Sequence, residues 1–128
     1  MWAKYNFDNF PIVEVEFDGV IEENKDFIDF INKWKRLYDE KEDFEFIFDT
    51  SGCGLVNPKY SFYMAFFIKN LKKKPKQYLK KSTIYVYHKC ILYLLKMVFY
   101  IEKPVAPVHL VFKEKETDEI KKEEIINP

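Results

Sequence analysis

Apolar and acidic residues alternate along PIVEVEF (11–17), with Val13, Val15 and Phe17 on one face and Glu14 and Glu16 on the other. A period of two predicts a strand with one buried and one wet face. The preceding stretch, WAKYNF (2–7), predicts a short hairpin partner that turns through Asp8 and Asn9. The period then lengthens. Phe27, Phe30, Ile31, Trp34, Leu37 and Tyr38 recur at helical spacing and predict an amphipathic helix. Asn24 suits its cap, and Asp26 suits the positive end of its dipole. DFEFIFD (43–49) is more continuously apolar and predicts an interior parallel strand covered on both faces.

In the second half, Asn57 is placed to cap a helix that begins at Pro58 and continues through YSFYMAFFIKNL (60–71) until Pro75. STIYVYH (82–88) is rich in β-branched and aromatic residues and predicts a third core strand. CILYLLKMVFYI (90–101) predicts a buried helix stopped by Pro104, and APVHLVF (106–112) a fourth strand. The alternation β-α-β-α-β-α-β predicts an α/β domain over 1–112. Its sheet is expected to be mainly parallel and four- to five-stranded, with right-handed crossover helices. Residues 113–128, mostly charged with only three isoleucines, are expected to be a tail or a surface helix.

A strand ending in a glycine turn (VEVEFDGVI), an amphipathic helix, and a strand FIFDTSG that opens into a second helix form a recognisable series. It resembles the STAS domain, the SpoIIAA-like fold, over about residues 10–112. The CRAL-TRIO lipid-binding domains are similar in their α/β core and in a D-x-S/T-G strand end. The STAS resemblance implies a non-catalytic domain that works by protein recognition. The CRAL-TRIO resemblance implies a small lipid-binding module. The bacterial STAS motif carries a phosphorylatable serine where the second helix begins. This chain reads Val56-Asn57-Pro58-Lys59 there, so the candidate phosphorylation sites are Ser51 and Ser61.

The chain has only three glycines in 128 residues, and two of them fall in DTSGCG (49–54). Gly52 and Gly54 allow positive φ angles and close backbone approach. Asp49, Thr50 and Ser51 are the residue types that fix a loop through local hydrogen bonds. Ligands of open α/β sheets bind beyond the carboxyl ends of the strands. The candidate recognition site is therefore Asp49, Thr50, Ser51, Gly52, Cys53, Gly54, Asn57 and Lys59. The spacing excludes a P-loop.

The net charge of zero conceals an uneven distribution. Residues 1–50 carry 14 acids and 6 bases, whereas residues 51–113 carry a single acid, Glu102, and 12 bases. Lys69, Lys72, Lys73, Lys74, Lys76, Lys80 and Lys81 form a basic stretch suited to an anionic membrane surface or an acidic protein. The single arginine, Arg36, argues against sequence-specific nucleic-acid binding.

Aromatic residues make up 19% of the chain, enough for the two apolar helices to present an exposed surface or line a lipid cavity. Homo-oligomerisation is open on the same ground. Cys53, His88 and Cys90 include no C-x-x-C and no evident fourth ligand, so no metal or cofactor is expected. A nucleophilic Cys53 or Cys90 with His88 can be drawn and stands as a third reading, behind the two binding readings, because a free cysteine is usually a small buried hydrophobe. With two cysteines, no signal-peptide pattern and no apolar run long enough to span a bilayer, the expected location is the cytoplasm. The Lys, Asn, Ile and Phe bias fits an A+T-rich genome, of the kind found in large DNA viruses and protists.

Overall fold

The computed structural model describes residues 1–128. The elements follow in order as β1 (Ala3–Asn6), β2 (Ile12–Phe17), α1 (Asn24–Asp39), β3 (Phe44–Asp49), α2 (Lys59–Leu71), β4 (Leu79–Val86), α3 (Lys89–Ile101), β5 (Val108–Lys113) and β6 (Ile120–Ile126). The strands lie in the sheet in chain order. β2 to β5 run parallel, and β1 and β6 close the two edges antiparallel.

The sheet is thus six-stranded and mixed, where the sequence predicted four or five mainly parallel strands. The added strand is β6, in the segment expected to be a tail or helix. It pairs Val108 with Ile126 and Phe112 with Lys122. The physical reason is plain. A charged segment with scattered isoleucines has no apolar stripe to bury as a helix, whereas an edge ladder satisfies its backbone directly.

Strand order equal to chain order has a geometric consequence. Right-handed crossovers that each advance one strand the same way put every helix on one face of the sheet. Burial follows suit. Val13, Val15, Phe44, Phe46, Phe48, Ile84, Val86, Val108 and Leu110 form one buried cluster with the helices. The residues alternating with them are mostly only part-buried, as in β3, where Glu45, Ile47 and Asp49 are intermediate. β3 is therefore covered on one face and not on both. The row Glu14, Ile47, Thr83, His109 runs straight across the other face. There His109 Nε2 lies 3.2 Å from Glu123 Oε1.

All six predicted apolar positions of α1 are buried. Trp34 packs on Phe46 with ring centroids 4.8 Å apart, and Phe30 on Phe17 at 5.4 Å. Its cap sits one residue earlier than predicted: Asp26 Oδ2 accepts from the Glu23 amide at 3.2 Å. Asn24 instead accepts from the Tyr60 hydroxyl at 2.8 Å, tying α1 to α2. The cap position of α2 is Pro58, one residue later than predicted, and Asn57 Oδ1 accepts from the Lys59 amide at 2.9 Å in the turn that leads into it. α2 and α3 pack side by side, and Lys72 and Glu102 join their C-terminal ends at 2.7 Å.

Candidate functional site

The helices cover their face of the sheet unevenly. On the β2–β3 side the layer is filled by rings, Phe17, Phe44, Phe46 and Phe48 from the strands and Phe30 and Trp34 from α1. On the β4–β5 side the strands and the loop before β5 offer smaller residues, among them Ser82 and Ala106. Under the helices the smaller strand residues leave room that Met64, Ile68, Leu94 and Leu95 do not fill. An apolar cavity of about 150 Å³ lies between the helices and the sheet, reaching from Val105 and Val108 on the β5 side to Trp2, Phe17 and Phe30 on the β1–β2 side. Trp34, Phe48, Met64, Ile84, Leu95 and Val108 line it, and its polar lining includes Thr50, Ser61 and Ser82.

Two further groups matter in this cavity. Trp34 is 5% exposed, and its indole nitrogen is buried without a hydrogen-bond partner. Buried donors are nearly always satisfied, and this one lies beside the cavity with no acceptor, as does the indole nitrogen of Trp2. Cys53 also lines the cavity. Burial pushes its thiol pKa up, and the nearby Trp2 indole opposes this only in part. A thiol held protonated in apolar surroundings is a poor nucleophile.

The glycine loop sits at the rim, where β3 gives way to α2. Its two glycines serve close approach and not positive φ, since Gly19 alone among the glycines has a positive φ, of 74°. A Cβ on Gly52 would lie 2.7 Å from the Phe17 carbonyl oxygen, and one on Gly54 2.6 Å from Val20 Cγ1. The loop is sewn to the end of β2: Gly19 donates to the Gly52 carbonyl at 2.8 Å, and a parallel bridge joins Gly19 to Cys53. Asp49 Oδ1 accepts from the Ser51 amide at 2.8 Å, and the Thr50 hydroxyl donates to the Tyr85 carbonyl at 2.7 Å.

The eight loop residues named from sequence therefore divide. Thr50 and Cys53 are buried, and Asp49 and Asn57 spend their side chains on the loop and the turn into α2. Ser51, Gly52 and Lys59 are exposed, and Leu55, not singled out from sequence, is 76% exposed between them. Of the two candidate phosphorylation sites, Ser51 is accessible. Ser61 is 4% exposed and its hydroxyl donates to the Leu94 carbonyl at 3.4 Å, so it is no target in the folded protein. It falls on the buried stripe of an almost wholly apolar helix, which the serine itself does not signal.

The basic stretch is likewise not one surface. Lys69 lies on the outer side of α2, and Lys73, Lys74 and Lys76 follow the helix. Lys72 is paired with Glu102, and Lys80 lies 3.7 Å from Asp43. Lys81 stands opposite Glu45 on the uncovered sheet face. Cys53, His88 and Cys90 do not come together as a ligand group.

Comparison with protein-family models, curated proteins and solved structures finds no match to this chain. The sequence pattern marks Trp34, Ser82 and Val108 only as members of their helix and strands. What brings them to one cavity is the strand order, which local pattern does not show.

Proposed function

We propose that this chain is a non-catalytic binding domain whose ligand is a small, largely apolar molecule carrying a hydrogen-bond acceptor. The observation that carries the reading is the apolar cavity of about 150 Å³, beside which the buried indole nitrogens of Trp2 and Trp34 are both left without partners. An apolar cavity of roughly this size stays dry and accepts a guest about as large as benzene. A substituted aromatic ring or the end of an acyl chain fits that space, and a complete phospholipid does not. The lipid-binding expectation is narrowed accordingly. The STAS-like and CRAL-TRIO-like assignments remain part of this proposal, supported by the series VEVEFDGVI, amphipathic helix, FIFDTSG, second helix.

The test is a titration followed through amide and indole NMR signals, with acetophenone and with ethylbenzene as probes. Acetophenone is expected to bind more tightly and to shift the Trp34 indole proton downfield, because its carbonyl accepts that hydrogen bond. If neither probe moves the Trp34 indole or its neighbours, the cavity is not a ligand site.

A second reading keeps the rim at 49–58 as a protein-recognition site in the cytoplasm. Leu55, 76% exposed beside exposed Ser51 and Lys59, favours it, since a lone apolar anchor within a polar rim suits a protein contact. Replacing Ser51 and Leu55 together is expected to abolish capture of that partner. Unchanged capture would count against the rim.

A further inference from the structure

We propose that the outward faces of α2 and α3 form a peripheral docking surface for an anionic lipid bilayer. The inference is independent of whether the cavity takes a ligand. Phe62 (58% exposed) and Phe66 (67%) lie one turn apart on α2, and Tyr93 (63%), Met97 (40%) and Tyr100 (90%) follow at helical spacing on α3. The two helices pack side by side and both stripes face away from the sheet, so they make one apolar, aromatic surface. Surfaces of this kind on monomeric proteins mark binding sites. Phe and Tyr suit the boundary between headgroups and acyl chains, where one side is apolar and the other wet.

Charge selects the occupant. From Thr50 to Ile101 the chain contains no acidic residue. Lys59 and Lys69 lie on the outer side of α2, and Lys73, Lys74 and Lys76 follow it, all exposed. None of these five enters an ion pair. A second copy of the chain placed on this face would set lysines against lysines. A surface of anionic headgroups over an apolar layer complements both the rim and the rings. No helix is long and apolar enough to cross a membrane, so the contact is peripheral.

The test is co-sedimentation with vesicles of phosphatidylcholine alone and of phosphatidylcholine mixed with phosphatidylserine. The protein is expected to partition onto the mixed vesicles and not the neutral ones. Raising salt should weaken the partition. The double variant Phe66→Ser/Tyr100→Ser, and separately Lys69→Glu/Lys73→Glu, should each reduce it by roughly tenfold. Both pairs are solvent-exposed, and circular dichroism checks that the variants keep the native fold. Three results would overturn the proposal: no partition by the unaltered protein, equal partition onto both vesicle types, or full binding by the aromatic variant. A dimer that dissociates in the Phe66→Ser/Tyr100→Ser variant would assign the face to a second copy instead.

Discussion

Gly54 donates its amide to the Gly19 carbonyl at 2.7 Å, which stitches the strand-to-helix loop after β3 onto the loop after β2. The approach leaves little room for a side chain. Gly52→Ala drives its Cβ against the backbone oxygen of Phe17, which cannot rotate away. Gly54→Ala meets only a methyl of Val20, a residue 48% exposed that can turn aside. Gly52→Ala is expected to cost about 2 kcal/mol, more than Gly54→Ala. Chemical denaturation of the two variants gives the order, and equal midpoints would contradict it.

The two cysteines are expected to differ sharply toward alkylation. Cys90 is exposed, whereas Cys53 is buried with its thiol pKa raised. At neutral pH iodoacetamide should label Cys90 alone, and Cys53 should react only once the protein unfolds. Peptide mapping after a timed exposure reads this directly. Fast labelling of Cys53 would mean that the cavity wall opens readily.

Alkaline unfolding should be steep. Burial raises the pKa of Tyr38 to about 12 and pushes that of Tyr5 higher still. The folded state holds these phenolic protons more tightly than the unfolded chain, whose tyrosines titrate near pH 10. The stability they contribute is complete below about pH 10 and is lost as pH rises toward 12 and beyond. Tyrosinate absorbance and circular dichroism should therefore change together over that range. Tyrosinate signals for Tyr5 and Tyr38 near pH 10 with the fold intact would refute this.

Filling the cavity should stabilise the protein and block its ligand. Ser82 is 3% exposed and faces the gap on β4. Ser82→Val adds methyl groups where space is already present and suits a strand. A gain of about 1 kcal/mol is expected, together with loss of acetophenone binding. A lower melting temperature would show that β4 has no room for the added methyl groups.

The parts legible in sequence were those fixed by short-range pattern. The α1 stripe from Phe27 to Tyr38, the Asn57 turn into α2 and the hairpin through Asp8 and Asn9 all depend on residues within a few positions of one another. Strand order does not, and the one-sided cover of β3 was hidden for that reason. Phe44, Phe46 and Phe48 are so large that they mask the alternation with Glu45, Ile47 and Asp49. β6 was hidden because an edge strand draws its stability from the β5 backbone, and IKKEEII carries little trace of it. The loop glycines were legible as special, and the close approach expected of them is present, without the positive φ. What they approach was not legible: Phe17 and Val20 lie more than thirty residues away in the chain.

The sheet's chain-order arrangement bears on how the molecule is made. Each new strand lays itself beside the one synthesised before it, and no earlier strand is held apart to receive a later one. As the polypeptide leaves the ribosome, each helix–strand unit can dock beside the strand already made. Assembly can therefore run from the amino end to the carboxyl end without threading, and β6 arrives last to seal the open margin of β5.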